Sequence, residues 1–141
     1  MINDGLKMTG AVAIALNGEV VQEIPNLVVT AGKNFVASRM KDTTKAAMTH
    51  MAIGTNNTTA AVGQTALSAE VTRGALTSTT VSTNTIAYVE TFAAGTGTGA
   101  IVEAGVFNAS SGGTMLCRTV FAVVNKGSAD AMTITWTITV S

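Results

Sequence analysis

The end of the chain alternates strictly between apolar and hydroxyl-bearing side chains. The segment AMTITWTITV (131–140) places apolar residues at its even positions and threonine at 133, 135, 137 and 139. A period of two is typical of a β-strand that has one face in a hydrophobic core. The threonine row suits the opposite face, where it is either solvated or packed against a partner.

Similar runs recur along the chain and predict further strands. They span residues 8–17, 20–24, 26–30, 48–53, 71–83, 85–93, 100–109 and 114–125. Asn17-Gly18 predicts a type I′ hairpin turn, because both central residues of that turn need positive φ. Pro25 ends the second predicted strand, and Gly112-Gly113 separates the two apolar runs around it.

One segment departs from the period of two. AGKNFVASRMKD (31–42) has Phe35, Val36 and Met40 at helical spacing, with Thr30 as the N-cap. Many short strands and one short helix predict an all-β fold, an antiparallel β-sandwich, in which a jelly roll is the best single topology. Without a repeat or a long linker, residues 1–141 are expected to form a single domain.

The composition indicates a chain that is partly covered by neighbours. Hydrophobic residues make up 47% of the sequence and charged residues only 11%, against roughly 25% charged in soluble domains. Eight cations balance eight anions, so there is little charge to oppose association. The alternative is a free domain that is simply rich in threonine and alanine.

Several classes of function are not expected. Balanced charge argues against nucleic acid as a partner, and no apolar run approaches the roughly 20 residues that span a bilayer. Cys117, the one cysteine, lies in an apolar run and is expected to be a buried thiol rather than a nucleophile. Met1–Leu6 carries no secretion signal, so synthesis in a reducing host cytoplasm is expected. No cofactor and no small-molecule substrate is predicted.

Three features of the sequence could belong to a catalytic site, and each also has a simpler structural interpretation. GTGTGA (95–100) lies between two strands and lacks the helix and the lysine of a phosphate-binding loop, which favours a hairpin loop. His50 has no identifiable catalytic partner, which favours a hydrogen-bonded histidine on a strand. Glu90 and Glu103 could face each other across that hairpin as a hydrolytic pair, but rim charges or ion-pair partners fit better in a chain with few aromatic residues. The chain is therefore predicted not to be an enzyme.

A cluster of cations is the clearest candidate for partner binding. Lys33, Arg39, Lys41 and Lys45 are half of all the cations, opposed only by Asp42. Cations near a helix C-terminus also suit the helix dipole, so a solvated helix face is the alternative to a docking patch for an acidic protein surface.

Residues 27–73 resemble structural proteins of tailed bacteriophages. In those proteins a V-T-x-A-G turn leads into a helix, and an A-I-G-T segment rich in threonine is followed by T-A-L-x-x-E and an arginine. The matching residues are Val29, Thr30, Ala31, Gly32, Ala52, Ile53, Gly54, Thr55, Thr58, Thr59, Thr65, Ala66, Leu67, Glu70 and Arg73. Asn56 or Asn57 replaces the second glycine of the usual pair and tolerates positive φ.

Within that group the chain looks most like the jelly-roll cement (head-decoration) proteins, such as that of a short-tailed Bordetella phage. The resemblance implies a homodimer or other homo-oligomer on the exterior of the virion capsid, where it would bridge subunits of an HK97-type major capsid protein and stabilise the shell. The alternative is a tail or receptor-binding module for host-surface glycan. The 50–73 segment would then be a connector that Glu70 and Arg73 help to order, with Asn56 and Asn57 as candidate partner contacts.

Overall fold

The computed structural model describes residues 5–41 and 45–141, and these ranges contain ten strands and one helix. The helix α1 (Thr30–Lys41) lies between the third and fourth strands. In chain order the strands are β1 (Met8–Leu16), β2 (Glu19–Pro25), β3 (Leu27–Val28), β4 (His50–Gly54), β5 (Glu70–Ala75), β6 (Ser78–Ser82), β7 (Thr85–Phe92), β8 (Gly99–Phe107), β9 (Met115–Lys126) and β10 (Met132–Val140).

The strands form two antiparallel five-stranded sheets packed face to face. Sheet A has the order β2-β1-β10-β7-β6, and sheet B has the order β3-β9-β8-β4-β5. The first long strand and the last one therefore lie side by side, with Val12 opposite Trp136. This arrangement confirms the predicted all-β sandwich with one short helix. The finer jelly-roll connectivity remains a prediction.

The alternation in β10 builds the centre of the core. Met132, Ile134, Trp136 and Ile138 are at most 1% exposed, and the threonines between them lie on the outer face of sheet A. Tyr88 on β7 pairs with Trp136, and burial raises its pKa to about 12. Cys117 is also buried, and burial raises the pKa of its thiol far above the ordinary value. This agrees with the inert thiol predicted from the sequence.

The helix begins one residue earlier than predicted. α1 includes Thr30, and its first carbonyl acceptor is Val29, which receives the N–H of Lys33 at 3.0 Å; Thr30 is therefore not the N-cap. The helix packs closely against β9, because a Cβ on Gly32 would collide with the backbone of Leu116. Asp42, the predicted last helical residue, lies outside the described residues.

Two connections differ from the sequence prediction. The predicted strand at 71–83 is two strands, β5 in sheet B and β6 in sheet A, because the chain crosses between the sheets at Leu76 and Thr77. The loop that contains GTGTGA also crosses between sheets, from β7 to β8, so the predicted hairpin loop is wrong. Its Gly95 and Gly97 have φ of 82° and 67°, a backbone conformation that favours glycine.

The predicted hairpin at Asn17-Gly18 is confirmed. These two residues have φ of 51° and 84°, as a type I′ turn requires. Within the described ranges, no helix is long and apolar enough to cross a membrane.

Candidate partner-binding surfaces

The outer face of sheet B is covered by the connector between β4 and β5, residues 55–69. Its two ends meet where the N–H of Thr55 donates to the carbonyl of Ala69 at 3.0 Å. The N–H of Thr30 at the start of α1 donates to Val62 at 2.7 Å, which fixes the middle of the connector. Leu67 then packs into a small apolar cluster with Val29, Ala52, Phe107 and Met115. The connector is therefore a compact surface loop whose ends are close together.

Glu103 is the central anchor of this loop. Its Oε2 accepts the N–H groups of Asn56 at 3.1 Å and Ala69 at 2.8 Å, and its Oε1 accepts the N–H of Ser68 at 2.8 Å. The side chain is completely buried. Gly54 makes room for this carboxylate, because a Cβ there would collide with Glu103 and with the carbonyl of Ala69.

Arg118 on β9 neutralises Glu103 and adds further contacts to the loop. Its Nη2 lies 2.9 Å from Oε1 of Glu103, and its own side chain is also 0% exposed. Nη1 donates to the carbonyl of Thr58 at 2.9 Å and to Gln64 at 3.0 Å, while Nη2 reaches Ser68 at 3.3 Å. Nε also donates to Oε1 of Glu103 at 3.3 Å. All three guanidinium nitrogens thus have acceptors, which is the condition under which a buried ion pair is tolerated.

Glu70 and Arg73, which were expected to order the connector, form an ion pair at 2.7 Å but order a different segment. Arg73 donates from Nη1 to the carbonyls of Ala109 and Gly112 in the turn between β8 and β9. Its guanidinium also lies 3.8 Å from the centre of the Phe107 ring, a cation–π contact. The pair therefore orders the 108–114 turn, and the 55–69 loop is held by Glu103 and Arg118 instead.

The two predicted asparagine contacts have different roles. Oδ1 of Asn56 accepts the N–H of Thr58 at 2.8 Å, so its side chain forms a local turn. Asn57 is exposed and lines an open notch of about 280 Å³ with Pro25, Leu27 and Thr59. Both side chains are exposed, but the carbonyl oxygen of Asn56 is already engaged within the loop, whereas Asn57 faces the notch.

The structure does not gather the four cations on one face. All four are exposed, and Nη1 of Arg39 donates to the carbonyl of Lys45 at 3.1 Å, which places these two residues together near Lys41 in the last turn of α1. Lys33 lies in the first half of the helix, beside Leu6–Thr9. At 100° per residue it points about 120° away from Arg39 around the helix axis. Arg39 and Lys41 are themselves about 160° apart around the axis. Arg39, Lys41 and Lys45 therefore share the C-terminal end of α1 rather than one face, and this smaller group is what remains of the predicted patch.

The outer face of sheet A is uncharged over four of its five strands, and the fifth strand, β2, adds Glu23 beside Ala13. We call its part over β1, β10, β7 and β6 the neutral face. Its side chains are threonine, serine, alanine and a single valine, half-buried or exposed. The hydroxyls of Thr91 and Thr133 lie 2.8 Å apart, and the hydroxyl of Thr85 donates to the carbonyl of Ser82 at 2.9 Å. The strand registers place the following residues on it: Thr9, Ala11, Ala13, Ala15, Ser78, Thr80, Ser82, Thr85, Ala87, Val89, Thr91, Thr133, Thr135, Thr137 and Thr139.

The residues that invited a catalytic interpretation are dispersed. His50 lies on β4 with Nδ1 2.7 Å from the hydroxyl of Thr49, the hydrogen-bonded histidine that was favoured. Glu90 points between the sheets and accepts from Thr77 at 2.8 Å, whereas Glu103 lies on the outer face of sheet B. They do not face each other, and neither is a rim charge, because both are buried. Glu103 is, however, an ion-pair partner, the other role that was expected for these two carboxylates. In the described part of the chain, no group of three or more His, Cys, Asp or Glu residues is placed to hold a metal ion.

Arg118 is the structural residue that the sequence prediction missed. The signal was present, because Glu103 and Arg118 are single charges of opposite sign inside two successive apolar runs, 100–109 and 114–125. Such charges are buried only when paired. No protein-family model, curated protein or solved structure matches this chain.

Proposed function

We propose that this chain is a structural virion protein that decorates and cements the exterior of a bacteriophage capsid. It would bridge neighbouring subunits of an HK97-type major capsid protein and act as a binding module without catalytic activity. The neutral face is the observation that carries the proposal. The resemblance of residues 27–73 to phage structural proteins gives the kind of assembly.

A neutral face fits a protein–protein contact for a physical reason. The centres of protein interfaces are depleted in charged residues, because a charge that loses water must find a partner. Four adjacent strands present only small apolar groups and hydroxyls here. A flat partner surface can cover them with little desolvation cost. A solvated sheet face usually carries lysine and glutamate instead.

The sandwich also offers more than one contact surface, as a bridging protein requires. The neutral face lies on sheet A, while Arg39, Lys41 and Lys45 lie at the end of α1, and α1 packs on β9 of sheet B. A protein bound by two surfaces to adjacent capsid subunits resists their separation. Many weak copies on one shell then add up through multivalency.

The glycan-binding alternative has less support. Sugar sites usually stack a ring on an exposed aromatic side chain, and all six aromatic residues of this chain, Phe35, Tyr88, Phe92, Phe107, Phe121 and Trp136, are at most 7% exposed.

The location of the protein on assembled particles tests the proposal. We expect density for many copies over the shell of particles assembled from the genome that encodes this chain. Shells without the protein should lose resistance to heat and osmotic shock, and adding the purified protein back should restore it. Density confined to the tail, or shells that are equally robust without the protein, would contradict the proposal.

Two pairs of substitutions, one that adds charge and one that reverses it, then identify the surface that faces the shell. Thr135→Lys with Thr137→Lys marks the neutral face, and Arg39→Glu with Lys41→Glu marks the basic group. We expect the neutral-face variant to lower shell occupancy at least tenfold at low and high salt alike. An effect of the basic-group variant that disappears at high salt would assign the docking to charge instead.

A further inference from the structure

The strand β6 is exposed to an unusual degree. It forms one edge of sheet A and pairs only with β7. All five of its residues, Ser78–Ser82, are exposed, and the side chain of Val81 is 71% exposed. On an edge strand, alternate N–H and C=O groups face outward without a partner strand. β6 therefore presents both an unpaired edge and an uncovered apolar side chain.

The other sheet edges carry features that discourage strand addition. β2, the opposite edge of sheet A, has Glu19, Glu23 and Pro25 and a register shift against β1. β5 has Glu70 and Arg73, and β3 is only two residues long. Charges, proline, bulges and short length are the usual protections of an edge.

β6 is short, with five residues, but it has none of the other protections. Residues 74–89 contain neither a charge nor a proline, and the register of β6 with β7 is regular from Ser78 to Ser82. Threonine and valine also favour extended backbone. An edge of this kind is a template for another strand.

We propose that β6 pairs antiparallel with β6 of a second copy of this chain across a two-fold axis. The neutral strand offers no charge for a charged partner to complement, and a second β6 matches it in length and polarity. A register centred on Thr80 places Ser78 opposite Ser82 and Thr79 opposite Val81, so every pair is compatible with a sheet. The contact would join the two five-stranded A sheets and make the neutral face continuous across the dimer.

The expected dimer is weak in free solution. One short strand from each copy buries less than the roughly 1,200 Å² of a standard interface. The dimer gains strength where copies are held close together, as on a shell. β6 would be the surface through which copies of the proposed capsid protein associate with one another. The pairing itself does not depend on a capsid.

A charge swap at the centre of the strand tests this pairing. Thr80→Lys places like charges opposite each other in the homodimer, and Thr80→Glu does the same, so each variant alone should weaken dimerisation at least tenfold. An equal mixture of the two should restore the dimer. Sedimentation velocity over a concentration series up to about 1 mM, the limit of weak specific association, measures this. Thr135→Lys, on the neutral face but away from β6, is the matched control and should dimerise like the original chain.

Cross-linking gives a second readout that does not depend on charge. Thr80→Cys should form a disulfide-linked dimer under mild oxidation, while Thr58→Cys in the exposed loop should not, and Cys117 is buried in both. A chain that stays monomeric to about 1 mM without a Thr80→Cys cross-link overturns the inference. So does a dimer that Thr135→Lys breaks and the Thr80 variants do not, or a β6 that pairs only with another protein. Loss of shell binding with an intact dimer would contradict the capsid role alone.

Discussion

Sheet B carries a buried glutamate–arginine pair beneath the 55–69 loop on its outer face, whereas the outer face of sheet A carries rows of threonine, alanine and serine that are half-buried or exposed. In sheet B the charges are satisfied within the chain, by backbone and side-chain groups of its own loop. In sheet A the neutral face has no charge that needs a partner, and Glu23 lies on β2 at its border. The contrast teaches that a charge on an outer sheet face is compatible with close packing only where the covering segment supplies its hydrogen bonds.

Removing Arg118, which holds the buried charge of sheet B, should have the largest effect on the free energy of unfolding. Arg118→Met leaves the Glu103 carboxylate buried without its cation, which we expect to cost about 3–5 kcal/mol of unfolding free energy. Denaturant unfolding measures the loss, and limited proteolysis should show earlier cleavage within 55–69. Arg73→Met is the control, because it breaks the more exposed pair with Glu70 and should leave that loop protected. Equal protection of 55–69 in Arg118→Met would mean that the ion pair is not what holds the loop.

Alkaline pH should destabilise the chain through a group in the core between the two sheets rather than through either outer face. The pKa of Tyr88 is raised to about 12 in the folded chain but is near 10 when unfolded. The stability that the neutral Tyr88 phenol contributes to the folded chain is therefore complete below pH 10, and it is lost as the pH rises toward 12. A shift of this size corresponds to about 3 kcal/mol, measured as the unfolding free energy against pH.

Tyr88→Phe should flatten that pH dependence while keeping the ring in the core. Burial also raises the pKa of Cys117, which adds a loss of the same sign, so both chains are best compared in a Cys117→Ala background. An unchanged slope in Tyr88→Phe would show that another group controls alkaline unfolding.

Charges on the neutral face should have the smallest effect on stability. Thr135→Lys with Thr137→Lys alters half-buried outward positions, and surface changes of this kind usually stay within about 0.5 kcal/mol each. Thermal unfolding should therefore be nearly unchanged, even though we expect these variants to lower shell occupancy. A fall of several kcal/mol would mean that the threonine row supports the sheet itself.

The sequence predicted the fold where one local pattern decided the structure. The alternation in β10, the positive-φ pair Asn17-Gly18 and the helical spacing around Phe35 each led to the correct element. The split of 71–83 could not be predicted, because the chain changes sheets at Leu76 and Thr77 without glycine or proline. Local propensity is the same on both sides of that crossing.

The candidate surfaces were predictable only in part. The threonine row was visible at 133–139, but its extension over β1 and β7 depends on long-range strand pairing. The link between Glu103 and the 55–69 loop likewise joins residues more than thirty positions apart. The cations around α1 were correctly expected to be exposed, yet helix geometry separates Lys33 from Arg39.

Glu103 holds the 55–69 loop through the backbone N–H groups of Asn56, Ser68 and Ala69. Every amino acid except proline supplies such a group, so this anchor does not read the identity of those three residues. The sequence of the loop can therefore change while Glu103 continues to hold its two ends. Foreign peptides that replace residues 60–63 would keep the Glu103 anchor and would lose the contact between the Val62 carbonyl and the N–H of Thr30. A peptide whose backbone restores that contact is the one best suited to display on this surface.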